Sequence, residues 1–200
     1  MSVFDRVRSA CAKVAREARF VEIDRSALLS LTHRLAECDR RTEAPDPAQY
    51  RLEDDEATLS FVLCLDAINF GSGWFPELHK REGLSGYLSL ASALRDHFES
   101  GEVFDASTLC AMTGVDCARI LEQPSPTPAI GELMQYFARA FNDLGDLLQR
   151  RFGGSFFALV ESAQERSAKL VECLAEMPLY QDRAEYHGGE VPFYKRAQIT

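Results

Sequence analysis

Two clusters hold most of the residues whose types and spacing could do chemistry. In the first, Asp66 and Asn69 interrupt the apolar run Phe61-Val-Leu-Cys-Leu-Asp66-Ala-Ile-Asn69-Phe70, and Gly71-Ser-Gly73-Trp74-Phe75-Pro76 follows at once. Polar groups buried in such a run need hydrogen-bond partners, because leaving them unmade costs free energy. In one reading Asp66 and Asn69 bond backbone groups of the glycine-rich loop and act as a structural clasp. In the other they line a pocket, where they pair with the edge of a planar heterocycle or with ribose hydroxyls, and Phe70 and Trp74 supply stacking area. A carboxylate suits a base edge rich in N–H donors.

The second cluster is Phe193-Tyr194-Lys195-Arg196. It places two cations at the expected start of a helix, where they oppose the helix dipole, so an anion should compensate them. A phosphate group at the helix N-terminus and a buried carboxylate partner both satisfy that requirement. The four histidines, His33, His79, His97 and His187, show no i, i+4 pair and no cysteine neighbours of the zinc-binding kind, so no metal site is expected. Serine nucleophile elbows, phosphate-binding Gly-Lys loops and dinucleotide fingerprints are absent.

Helices are expected to carry both clusters. Val3, Val7, Cys11, Val14 and Ala18 form a first amphipathic stripe, and Asp24 is placed to cap a second helix through Leu28, Leu31 and Leu35. Residues from Cys38 to Glu56, with Pro45 and Pro47, are expected to be a surface loop. The Leu59–Phe70 run is apolar nearly all round and is expected to be a central buried helix. Tyr87, Ala91, Leu94 and Phe98 restart a stripe that ends near Gly101. Asp105 is a further cap, after which residues 109–121 form two short helices hinged on Gly114. That hairpin has the length of a DNA-reading unit but carries only Arg119 as a cation, so packing is its expected role.

Beyond the connector Pro124, Pro126 and Pro128, two long helices are expected. The first holds Leu133, Phe137, Phe141, Leu144 and Leu148 and stops at Gly153-Gly154. The second runs through Phe156, Leu159, Val160, Ala163, Leu170, Leu174 and Met177 to Pro178. Tyr186-His-Gly188-Gly189-Glu-Val191 predicts a small β-hairpin with positive φ at the Gly-Gly pair. The fold class is therefore all-α apart from that hairpin near residues 186–192, and one helical domain over residues 1–200 is expected. A helix starting at Phe193 would have about eight residues and no cap, which predicts a C-terminally truncated chain.

Composition bounds the partners. The 200 residues are 46% hydrophobic and 26% charged, an ordinary globular balance, with a formal net charge of −9. Interleaved acids repel a phosphate backbone, so stable nucleic-acid binding is disfavoured. Residues 1–19 hold neither a signal-type apolar region nor a membrane-spanning stretch, which predicts a cytoplasmic protein with no membrane partner. The six cysteines, Cys11, Cys38, Cys64, Cys110, Cys117 and Cys173, never form Cys-x-x-Cys and are expected to be buried reduced thiols.

The Phe61–Phe70 stretch with the following Trp74 resembles the signature of the queuosine salvage proteins, and Gly71-Ser-Gly-Trp-Phe-Pro76 is similar to a bacterial branch of them. Three further stretches agree in order and spacing: Gly83-Leu-Ser-Gly-Tyr87, Phe152-Gly-Gly-Ser-Phe156 with Leu159-Val-Glu161, and Val191-Pro-Phe-Tyr-Lys195-Arg-Ala-Gln198. The resemblance implies a hydrolase that cleaves the N-glycosidic bond of queuosine 5'-monophosphate, giving queuine for tRNA modification plus ribose 5-phosphate, with no cofactor. It also implies an all-helical relative of the helix-hairpin-helix DNA glycosylases. Cleavage from a 7-deazapurine is demanding because the leaving base has no N7 to protonate, so a carboxylate must stabilise an oxocarbenium-like sugar and can orient water.

Carried over by position, Lys195 holds ribose or phosphate oxygens beside Arg196, while Asp66 and Asn69 belong to the base side with Phe70. Phe20, Trp74 and Phe193 are the stacking candidates. Family members continue past the Lys195 motif into a segment with an active-site aspartate, so the catalytic carboxylate is expected beyond Thr200. The alternative is a non-catalytic nucleotide-binding or interaction protein that keeps the pocket without the chemistry.

Overall fold

The computed structural model describes residues 2–37, 50–102 and 104–192. Its elements are α1 (Val3–Glu17), α2 (Arg25–Glu37), α3 (Asp55–Ala67), a 3-10 turn (Phe75–Glu77), α4 (Gly86–Glu99), α5 (Ala106–Ala111) and α6 (Gly114–Ile120). There follow α7 (Pro128–Phe152), α8 (Phe156–Ser162), α9 (Ser167–Leu174), a second 3-10 turn (Pro178–Tyr180), β1 (Arg183–Tyr186) and β2 (Gly189–Pro192). The fold is all-α with one small antiparallel hairpin, as the apolar spacing predicts.

Helix starts coincide with side chains able to satisfy the first free N–H groups. Asp24 accepts from Ala27 at 2.9 Å, Asp54 from Ala57 at 2.7 Å, and Asp105 from Thr108 at 2.6 Å. Ser85, Thr113, Thr127 and Ser155 do the same for α4, α6, α7 and α8. Pro128 stands in the first turn of α7, where its missing N–H costs nothing, and Gly153 ends that helix at φ 59°.

The 25-residue α7 is the axis of the core: Leu133, Phe137, Phe141, Leu144 and Leu148 are all buried on it. The apolar helix α3 packs beside it, and a ladder of rings, Phe61 to Phe98 at 5.8 Å, Phe98 to Phe104 at 5.0 Å and Phe104 to Phe141 at 5.8 Å, joins α3, α4 and α7. The α5–α6 hairpin lies across α7, as the packing reading of residues 109–121 requires. Asn142 there donates to the C-terminal carbonyls of Leu109 and Met112 at 2.9 and 3.0 Å.

Several expectations need correction. The buried face of α1 is Val3, Val7 and Ala10 rather than a stripe through Cys11, because α1 is covered on the side of β2 and Cys11 turns away from it. Cys11 and Cys110 are exposed thiols, while Cys64 and Cys117 are buried, Cys117 with its pKa pushed up to about 12 by desolvation. Leu28, Leu31 and Leu35 of α2 are also exposed. The loop expected through Glu56 gives way earlier to α3, since Asp54 caps it; Cys38, Pro45 and Pro47 lie outside the described residues.

The second long helix is two. Gln164 and Glu165 adopt φ 53° and 58°, which breaks the chain between α8 and α9. Between Ala163 and Leu170 the sequence offers no apolar anchor, so no burial holds a continuous helix across Gln164-Glu-Arg-Ser-Ala-Lys169. In the hairpin, Tyr186 pairs with Gly189, so the positive-φ turn residues are His187 and Gly188 and not the two glycines. Among the described residues, no helix is long and apolar enough to cross a membrane.

At Gly145 the backbones of α5 and α7 approach closely. A Cβ there would lie 2.7 Å from the Ala106 carbonyl oxygen and 2.8 Å from the Cys110 nitrogen, both backbone atoms of α5. Gly145→Ala should therefore cost about 1–3 kcal/mol, measured as a lower midpoint in urea denaturation.

Candidate functional site

The C-terminus of α3 positions the first cluster. Past Ala67 the helix unwinds: Asn69 N–H bonds to the Asp66 carbonyl at 3.2 Å, and Phe70 N–H to that of Ile68 at 2.7 Å. Gly71 then takes φ 83°, and a Cβ on it would meet Leu133 Cδ1 of α7 at 2.6 Å. Glycine is required there for both conformation and space. Trp74 N–H closes the turn on the Gly71 carbonyl at 2.9 Å. The loop lies back on α7, with the Phe70 ring 5.2 Å from Phe137 and the Trp74 ring 6.3 Å from Tyr136, both edge-to-face.

The following segment is held rigidly. The buried Gln123 side chain accepts from His79 N–H at 2.9 Å and donates back to the His79 and Leu121 carbonyls. Arg81 forks onto Glu122 at 2.8 and 2.7 Å and pairs with Asp96 at 2.7 Å. Gly86 lets α4 start directly against Phe75, whose Cβ would stand 2.9 Å from any added methyl.

Asp66 is exposed, which corrects its expected burial: Phe61, Leu63, Cys64, Leu65 and Ala67 take up the covered sides of α3 and leave Asp66 on the open one. Asn69, Phe70 and Trp74 are half-buried. Around Asp66 stand two phenols. Tyr87, at the start of α4, hydrogen-bonds with Tyr50, and burial first, then this bond and the Asp66 charge, push its pKa up. Tyr180 is 2% exposed, and its hydroxyl donates to the Ala67 carbonyl at 3.2 Å. Burial raises its pKa too, with Asp66 and Asp143 adding to the effect. Asp143 of α7 accepts from Leu179 N–H at 2.6 Å and thereby fixes the turn that carries Tyr180.

The arrangement is a solvent-facing carboxylate flanked by neutral phenols, on a shelf of half-buried aromatic rings. It can accept from N–H donors and cover a planar ring. Asp66, Asn69 and Phe70 come together, with Trp74 on the same loop. Phe20 does not join them: it is 98% exposed in the α1–α2 connector, in a groove lined by residues 12–25. Phe193, Lys195 and Arg196 lie outside the described residues. Tyr50, Tyr87, Tyr180 and Asp143 are the site neighbours that sequence reasoning missed. Tyr87 stood in the α4 stripe and read as packing; its phenol at a helix start was the available signal. Among the described residues no cluster of His, Cys, Asp and Glu is placed to hold a metal ion.

Residues 48–200, which include the whole α3 shelf, match the family described as queuosine salvage protein. The chain belongs to that family. Similar curated members are named queuosine 5'-phosphate N-glycosylase/hydrolase. The protein of Sphaerobacter thermophilus is 30% identical over 192 residues, covering 94% of this chain and 58% of the relative. Those of Mus musculus and Bos taurus are 31% and 30% identical over 153 residues, covering 72% of this chain and 45% and 44% of theirs. The chain thus spans about half the length of the curated queuosine salvage relatives it matches.

Two substitutions test the frame of this site. Tyr180→Phe leaves the Ala67 carbonyl without its hydroxyl donor and should cost about 1 kcal/mol in denaturant unfolding. Burial holds the Asp143 carboxyl above its ordinary 3.8, against the lowering effect of Leu179 N–H, Arg139 and Arg150; Asp146 adds to the rise. A raised folded pKa gives stability that is present at low pH and lost as pH rises through the folded value. Asp143→Asn does not titrate, so its melting temperature should gain on wild type between pH 3 and pH 6.

Proposed function

We propose that the chain acts in queuosine salvage as a hydrolase that cleaves the N-glycosidic bond of queuosine 5'-monophosphate and releases queuine. The observation that carries this reading is Asp66: an exposed carboxylate at the end of a buried helix, beside the half-buried rings of Phe70 and Tyr87. It lies within the stretch shared with relatives named for this reaction. The whole chain is then one helical queuosine-salvage domain in a cytoplasmic setting. It binds a small nucleotide, without nucleic acid, membrane or cofactor.

In this mechanism Asp66 and Asn69 hold the N–H donors of the base, and Phe70 and Trp74 cover its face. Lys195 and Arg196 hold ribose and phosphate oxygens, with Phe193 as a further stacking surface; Phe20, which does not join the shelf, takes no part. The bond between base nitrogen and C1' breaks with its electron pair going to the base. Water adds to C1' and gives up one proton to a carboxylate or solvent, while the departing base nitrogen takes up a proton from solvent, so the base leaves neutral. Holding the departing base and the phosphate at fixed separation supplies the orientation that this dissociative step needs.

Incubation of the full-length protein with queuosine 5'-monophosphate, followed by chromatography, should show queuine and ribose 5-phosphate in equal amounts. Bound nucleotide that is never cleaved would instead identify a non-catalytic binding protein, and absence of binding would overturn both. Lys195→Met should lower turnover by roughly a hundredfold with little change in melting temperature.

A further inference from the structure

Residues 19–37, the end of the connector after α1 together with α2, form an arm outside the core, and each of them is exposed. Phe20, Val21, Ile23, Leu28, Leu29, Leu31 and Leu35 of this arm are large apolar residues, exposed from 46% at Leu31 to 98% at Phe20. A helix of 13 residues is marginal in water by itself, and burial of an apolar face is what ordinarily stabilises it. Within the described residues α2 buries none of its own. Its start is nonetheless well formed: the Asp24 side chain accepts from Ala27 N–H at 2.9 Å, and the Asp24 carbonyl accepts from Leu28 N–H at 2.9 Å. Leu28, Leu31 and Leu35 share one side of α2 at i, i+3 and i+7. Ile23 and Leu28 occupy the two positions around a cap whose apolar side chains tend to meet, so the stripe continues into the connector. Leu29 is on the far side, where a single apolar residue is ordinary surface.

We infer that this face is the contact between two copies of the chain, with their α2 helices packed antiparallel about a two-fold axis near Leu31. Charge, spacing and area each single out a second copy. The leucine spacing reads nearly the same in both directions about Leu31, so antiparallel copies set Leu28 of each beside Leu35 of the other, with the two Leu31 side chains at the axis. The same axis brings the Asp24 end of each helix to the Arg34 end of the other, so acid meets base twice. Arg19, Arg25 and Arg34 balance Glu22, Asp24 and Glu37, which makes the arm neutral in a chain of net charge −9. Two such chains repel across most of their surfaces and meet at least cost here, whereas a phosphate backbone or an anionic lipid surface finds no excess of cations. Phe20, Val21, Ile23 and the three leucines of the stripe expose on the order of 700 Å² per copy, near the ~800 Å² that each partner gives to a standard interface. Residues 19–37 precede residue 48, where the family match begins, so this contact stands apart from the nucleotide reading.

Sedimentation velocity of the full-length protein between about 1 and 100 μM tests this. Wild type should pass from monomer to dimer over that range. Leu31→Glu sets two carboxylates against each other at the axis and should raise the dimer dissociation constant roughly a hundredfold. Leu31 faces solvent in a single copy, so the far-UV circular dichroism and melting temperature of this variant at the dilute end should match those of wild type. Ser30→Glu, on α2 but away from the stripe, should leave the equilibrium unchanged. Wild type that stays monomeric at the highest concentration overturns the inference, and the face is then covered by another part of the full-length chain or by a different partner. Dimers that survive Leu31→Glu place the contact elsewhere and overturn it too. Equal weakening by Ser30→Glu and Leu31→Glu does the same, since the stripe would then have no special part in association.

Discussion

The carbonyl groups at the C-terminus of α3 set the terms for the rest of the structure. A helix covered on most sides cannot leave its last acceptors facing an apolar interior, and water cannot reach them all. The chain answers with the Asn69 and Phe70 turn, with glycine at position 71, and with the hydroxyl of Tyr180 on Ala67. Each of these brings another segment to one spot. The loop 71–77 is drawn down on α7, and the turn 178–180 is drawn up from the far end of the chain. The polar shelf around Asp66 results from ending a buried helix in a satisfied way.

Electrostatics within that shelf follow from the same placement. Tyr87 and Tyr180 feel the charge of Asp66, Tyr180 also that of Asp143, and burial pushes the two phenols and the Asp143 carboxyl toward their neutral forms. Asp66, on the open side of α3, carries the exposed charge. Among the described residues the shelf therefore combines an exposed carboxylate with phenols held neutral.

Much of this was legible in the sequence. Caps at Asp24, Asp105 and Gly153, the apolar α3 and the α7 stripe are local signals, and the local chemistry decides them. The Asp66, Asn69 and Trp74 cluster stood out because polar residues broke an apolar run. What stayed hidden depended on contacts between distant segments. The exposure of Asp66 required knowing which sides of α3 are covered, and the Tyr180 bond joins positions 113 residues apart. The break at Gln164-Glu165 was missed because apolar spacing continues in phase across it, while the absent anchors between Ala163 and Leu170 are a weaker signal. Turn chemistry misled in the hairpin, where Gly-Gly suggested the turn but strand register moved it one residue earlier, onto His187.

The docking of α1 on the hairpin has a kinetic consequence. Lys13 Nζ donates to the Tyr186 carbonyl at 3.2 Å, a contact between residues 173 apart in sequence. Closing so long a loop carries an entropic cost that neighbouring helices such as α5, α6 and α7 avoid. Those helices can assemble as soon as they emerge, whereas α1 must wait for β2. Helix α1 is thus synthesised well before the strand on which it docks. Until then its apolar residues Val3, Val7 and Ala10 remain exposed to solvent and to other chains.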